Sequence, residues 1–140
     1  EPAAAAAAAA EVIDMREIEL EAKPLASGAY GQVFRGTWVR HMKPVAVKKM
    51  LRQAFSTREQ GLASFRKEVQ ILAMLEHPHV LRLYGAAEDR DAGGSVYIVT
   101  ELVPGGSLFE LIHTKPPLRP DAIAVISSGI CAGMSYLHAV

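Results

Sequence analysis

One cysteine, Cys131, stands in the 140 residues of this chain. A single thiol forms no internal disulfide, so the fold has to rest on burial and hydrogen bonding, and a cytoplasmic setting is expected. Excess charge of one sign is also lacking, because 15 Lys and Arg offset 15 Asp and Glu. That balance offers no polyanion surface, and nucleic acid is not expected as a partner. No apolar run approaches the roughly 20 residues of a membrane span, so no membrane segment is expected. The opening residues are not expected to be a secretory signal either, since Glu1 and Pro2 stand where a basic region would be needed. With Glu1 in place of Met, the chain reads as excised from something longer. His77 and His79 flank Pro78 with no third ligand in sight, so no metal site is expected there.

What the chain does have is patterned. Hydrophobic residues make up 50%, a figure raised by the alanine run Ala3 to Ala10. Residues 1–15 read as an Ala-rich lead-in, a linker or frayed helix, because a short isolated helix is marginal in water. From Ile18, apolar residues alternate with Glu19 and Glu21, the period of a strand. The stretch Ser27-Gly28-Ala29-Tyr30-Gly31-Gln32-Val33 turns the chain into a second strand through Trp38 and Val39. Pro44 to Lys48 forms a third. Thr57 with Gln60 is a capping box opening a helix to Glu76, whose apolar stripe is Phe65, Val69 and Leu72. Val80 to Ala87 and Val96 to Leu102 are two further strands. Ser107 with Glu110 opens a short helix, and Asp121 to Ala139 a long one striped by Ile123, Ile126, Ile130, Met134 and Leu137. The fold class is α+β: a five-stranded antiparallel sheet, one helix packed on it, then further helices.

Two places suggest chemistry. The glycine stretch taken alone is an ordinary hairpin. Lys48 alone is an ordinary surface lysine, and Glu68 alone a helix-surface carboxylate. Taken together they say more. On a strand, Ala46 and Lys48 share one face and Val45 and Val47 the other. A lysine on an apolar strand needs a partner. Glu68 stands at the edge of the helix's apolar stripe, where it can reach Lys48. A lysine tethered to a carboxylate below a glycine turn is an arrangement that binds phosphate. Arg66 and Lys67 read as a solvated face, Lys49 as a solvated lysine, Trp38 as sheet packing and Cys131 as a small core residue.

In this order and spacing the motifs resemble the small N-terminal lobe of a eukaryotic protein kinase, most like the tyrosine-kinase-like group. Leu25 to Val33 is similar to the G-x-G-x-x-G-x-V loop, Val45 to Lys48 to the V-A-I-K strand, and Glu68 to its pairing glutamate. His77 to Gly85 resembles the H-P-N-I-V-x-L-x-G run, and Gly133 to His138 the end of the helix before the catalytic loop. The resemblance implies residues 16–103 as the small lobe, followed in 104–140 by the hinge exit and first helices of a large lobe.

It also implies roles. Gly28 and Gly31 would approach the phosphates of ATP, and Tyr30 would cap the loop tip. Ala26, Val33 and Ala46 would roof the adenine. Lys48 would contact the α- and β-phosphates, held by Glu68, and Thr100 would stand as gatekeeper. The Glu101 carbonyl and Val103 N–H would meet the adenine edge, with Ser107 near the ribose. Where Ala26 stands the family pattern has glycine, so a stiffer loop entry and weaker ATP binding are expected. The implied function is phosphoryl transfer from ATP to hydroxyls of a protein substrate, with Ser/Thr expected over Tyr. The catalytic loop H-R-D-L-x-x-x-N and D-F-G do not occur in these residues. The ligands for Mg²⁺ and the catalytic base are therefore expected outside them, and the 140 residues alone are expected to be inactive. The alternative is a pseudokinase-type or truncated interaction module.

Overall fold

The structure is a computed structural model that describes residues 10–29, 31–50, 56–89, 94–114 and 117–140. The elements are β1 (Glu11–Val12), β2 (Ile18–Gly28), β3 (Gly31–Trp38), β4 (Lys43–Met50), α1 (Arg58–Ala73), β5 (Leu83–Asp89), β6 (Ser95–Glu101), α2 (Leu108–Thr114) and α3 (Pro120–Ala139). They divide into two compact units. One comprises the described residues of Glu1–Leu75 with Arg82–Leu102, the other Glu76–Leu81 with Val103–Val140.

The first unit is a sheet with one helix. Its six strands run in the order β1-β5-β6-β4-β3-β2. Five are antiparallel neighbours, as the alternation and turn residues anticipate. The sixth was not anticipated. Glu11–Val12 pairs parallel with Gly85 and Ala86 at the β5 edge, although the sequence reads there as a lead-in. Two residues are too few to show a period, and the neighbouring alanines conceal the change of structure. β2 forms the other edge and tolerates Pro24 because the register shifts on either side of it.

Each face of the sheet carries its own apolar cluster. On one, Ile13, Ile18, Trp38, Val45, Val47, Ala87, Tyr97 and Val99 are buried together. On the other, Met50, Ala86, Val96 and Ile98 receive Phe65 and Val69 of α1. β6 is covered on both sides from Ser95 to Thr100, which is why it reads as an unbroken apolar run rather than an alternation. α1 begins where expected, with Thr57 Oγ1 accepting the Gln60 N–H at 3.2 Å. It ends at Ala73, three residues before the expected Glu76. The Met74 N–H turns inward to the Ile71 and Leu72 carbonyls, tightening the last turn. The strand expected from Val80 starts at Leu83, because Val80 N–H closes a turn onto the His77 carbonyl at 3.1 Å.

In the second unit, Ser107 and Glu110 form the expected reciprocal cap. Ser107 N–H donates to Glu110 Oε2 at 2.7 Å, and Glu110 N–H donates to Ser107 Oγ at 3.1 Å. α3 buries Gly133, where a Cβ would meet the His79 carbonyl oxygen at 2.8 Å, and Gly129 faces the same ring. Tyr136 stacks on His77 and its hydroxyl accepts the Glu76 N–H at 3.0 Å. The expected α3 stripe is present but open, since Ile123, Ile130, Met134 and Leu137 are all exposed. Cys131 is exposed too, contrary to its reading as a core residue, because only the glycine side of α3 is covered. Over its 20 residues α3 is long and apolar enough to cross a membrane, although the sequence reading expected no such run. Its small, uncharged residues average to an apolar helix without a continuous run of large side chains.

Candidate functional site

The candidate site is built on the α1 face of the sheet. Register fixes which side chains share that face. Ala26 pairs with Val33, Val33 with Lys48 and Lys48 with Ile98, while Ala46 pairs with Thr100. Four strands thus present Ala26, Val33, Ala46, Lys48 and Thr100 together. Helix α1, seated by Phe65 and the fully buried Val69, brings Glu68 one residue before Val69 to the sheet. Lys48 Nζ donates to Glu68 Oε1 at 2.7 Å and to Oε2 at 2.9 Å. The side chains are 31% and 33% exposed, so the pair is half-sheltered and its ammonium remains open to a further acceptor.

The two glycines of the loop differ. A Cβ on Gly31 would lie 2.7 Å from the Lys49 carbonyl oxygen and 3.5 Å from Lys48 Cγ and Cε. Gly31 is thus required by close packing of β3 on β4. Among the described residues, a Cβ on Gly28 would meet nothing nearer than the Gly31 carbonyl oxygen at 4.0 Å. No contact among those residues demands glycine there, which suits a backbone approached from outside. Tyr30, expected at the loop tip, lies outside the described residues.

Thr100 is buried and its hydroxyl donates to the Glu101 carbonyl at 3.2 Å. That carbonyl keeps a second lone pair. The Glu101 side chain has a part that the sequence did not suggest. Its Oε1 accepts the Arg82 N–H at 2.9 Å, while Glu101 N–H donates to the Arg82 carbonyl at 3.0 Å, pinning the end of β6 to the entry of β5. Val103 and Ser107 belong to the second unit, where Val103 is exposed and Ser107 serves as the α2 cap.

Three further side chains differ from their sequence reading or were missed by it. Lys49 is not simply solvated, for its Nζ sits 5.8 Å over the Tyr97 ring. Arg66 is partly buried and its Nε has no hydrogen-bond partner among the described residues, so it is not a purely solvated residue. Arg35 pairs with Ala46 on the site face, and its Nε is likewise buried without a partner among those residues. The two-residue spacing from Val33 was the signal that could have found it.

The family model described as protein tyrosine and serine/threonine kinase matches residues 19–140. The chain belongs to the protein kinase family. Similar kinases include the probable serine/threonine-protein kinase SIS8 of Arabidopsis thaliana, 40% identical over 79% of this chain and 10% of that protein. The dual specificity protein kinase shkB of Dictyostelium discoideum is 38% identical over 91% of this chain and 19% of that protein. Among solved structures, Rad53 1-466 in complex with AMP-PNP gives a TM-score of 0.77 at 26% identity, covering 89% of this chain and 32% of that one. The pseudokinase DRIK1 bound to ENMD-2076 gives 0.80 at 22% identity over 92% of this chain and 51% of that one, a likeness of fold. This kinase chain therefore spans only a small part of the relatives it matches.

Proposed function

We propose that this chain is the nucleotide-binding part of an ATP-dependent protein kinase that acts on Ser and Thr hydroxyls. The observation that carries the reading is the Lys48–Glu68 pair, bidentate at 2.7 and 2.9 Å beneath an unfilled Gly28. A carboxylate that takes both of its hydrogen bonds from one ammonium fixes where that ammonium stands. Lys48 then offers its remaining proton to the α- and β-phosphate oxygens. The Gly28 backbone takes the phosphates from above, because glycine carries no side chain and no described residue comes nearer than 4.0 Å to where its Cβ would stand. Ala26, Val33 and Ala46 present small or branched apolar surface to a flat base. Thr100 limits the depth of the pocket, and the second lone pair of the Glu101 carbonyl accepts from the base's amino group. These residues fit ATP, which supplies the transferable phosphoryl group when bound.

For Mg²⁺ the described residues supply no group of three His, Cys, Asp or Glu that could hold an ion. Its ligands and the catalytic base are assigned to residues other than these 140, and the 140 residues by themselves bind nucleotide without transferring phosphate. The Ser/Thr assignment is supported by the names of the relatives, of which several are serine/threonine kinases and shkB is of dual specificity. The test is incubation of the intact protein with γ-labelled ATP, Mg²⁺ and a mixed protein acceptor, followed by phosphoamino-acid analysis. Label on serine and threonine supports the proposal. Nucleotide binding without any transfer would instead favour a pseudokinase-type module, for which the open α3 stripe offers an apolar face.

A further inference from the structure

The segment Ala10–Glu17 precedes the family match and is nevertheless built into the sheet unit. It crosses the β5 edge and touches both faces. Ala10 packs against the cluster that holds Phe65 and Val69 of α1. Glu11 and Val12 pair with Gly85 and Ala86, and Ile13 N–H donates to the Ala86 carbonyl at 2.9 Å. Ile13 is then buried in the opposite cluster, which also includes Val45 and Val47, the two residues flanking Ala46 on the strand that carries Lys48. Beyond it, Asp14 caps a turn by accepting Arg16 N–H at 3.0 Å, and Glu17 Oε2 accepts Trp38 Nε1–H at 3.1 Å. Gly85 makes the crossing possible. A Cβ there would overlap the Glu11 carbonyl oxygen and approach Ile13 Cδ1 to 2.8 Å.

The pairing continues across the whole sheet in one line. Val12 lies beside Ala86, Ala86 beside Ile98, Ile98 beside Lys48, Lys48 beside Val33 and Val33 beside Ala26. The segment thus anchors the far end of the row that bears the site, and it reaches the cluster seating the helix that bears Glu68.

We propose that Ala10–Glu17 is a positioning strap. Clipped over the β5 edge, it holds α1 on the sheet and so holds Glu68 against Lys48, and its release loosens the pair and weakens nucleotide binding. The strap is poised for release because only two of its described residues pair with β5 and Val12 is 69% exposed. Its effect on nucleotide rests on the function proposed above, whereas its effect on α1 does not.

The experiment compares the intact protein with its Gly85→Ala variant, in which the added methyl expels Glu11 while leaving α1 and the Lys48 and Glu68 side chains unaltered. Amide hydrogen exchange reads the strap and α1 separately, and titration with Mg·ATP reads the site. The expected result is loss of protection at Ile13, whose N–H the strap commits to Ala86, at least tenfold faster exchange at Phe65 to Leu72, and at least tenfold weaker nucleotide binding. Strap release with α1 exchange and affinity within twofold of wild type would overturn the proposal, as would retained protection at Ile13. If Gly85→Ala does not yield folded protein, Ile13→Ala, which trims the buried anchor alone, is read by the same criteria. If the unaltered protein binds no Mg·ATP, the functional proposal fails, and the exchange at α1 still decides the role of the strap.

Discussion

Alanine at Gly31 and at Gly28 separates a glycine needed by the fold from one needed by a ligand. At Gly31 the new methyl would stand 2.7 Å from the Lys49 carbonyl oxygen, a backbone atom held in the β3–β4 ladder. Real contacts of this kind stay beyond about 3 Å, so β3 and β4 must separate or the Lys48 stem must shift, and overpacking of this sort costs about 1–3 kcal/mol. At Gly28 the nearest atom among the described residues would be 4.0 Å away and φ is not positive, so alanine meets no clash with them and no backbone strain. Alanine there also restricts the unfolded chain, a gain of about 0.4–1 kcal/mol where the native conformation is compatible. Urea unfolding of the nucleotide-free intact protein should therefore place the Gly31→Ala midpoint clearly below wild type and the Gly28→Ala midpoint at or slightly above it. Mg·ATP titration should reverse the emphasis for Gly28→Ala, whose affinity falls despite its unimpaired stability. Unimpaired stability in Gly31→Ala together with a destabilised Gly28→Ala would refute the reasoning, since it would mean that the close approach is on the other side of the loop.

Two further outcomes follow from the same structure. Val69 is fully buried between α1 and the sheet, and Val69→Ala should cost about 2 kcal/mol in urea unfolding and weaken nucleotide binding with it, through looser seating of Glu68. The Ser107 N–H and hydroxyl hold the Glu110 carboxyl below the usual Glu range. A carboxyl depressed in the folded state stabilises above its unfolded pKa and loses that contribution as pH falls through the folded one. Exchange at the first amides of α2 should therefore rise on acidification below the ordinary Glu range, and in Glu110→Gln this acid-dependent step should disappear.

How much of this was legible in the sequence depends on how locally each feature is encoded. Alternation around Val45 to Lys48 places Lys48 and Ala46 on one face, and the structure agrees. The Phe65/Val69 spacing likewise seats α1, which brings Glu68 to Lys48 across 20 residues of chain. Capping is the most local signal of all, and both Thr57 and Ser107 hold their helices as their spacing implies. What escaped depends on long-range partners. Glu11 and Val12 become a strand only because β5 lies beside them, and Gly85 admits them for a reason its own neighbours do not reveal. Glu101 looks like a hinge residue and also proves to be a clamp on Arg82, 19 residues away. Cys131 sits among apolar residues along the chain, yet the side of α3 it occupies is not the one that Gly133 buries.

The most direct test of the central claim is Mg·ATP titration of the intact protein beside Lys48→Met and Glu68→Gln. Lys48→Met keeps an apolar stem of similar length and removes the ammonium that Glu68 holds at 2.7 Å. The unaltered protein should bind, and binding should be at least tenfold weaker in Lys48→Met, about 1.4 kcal/mol or more, with a smaller loss in Glu68→Gln. Equal affinity in the unaltered protein and Lys48→Met would contradict the claim.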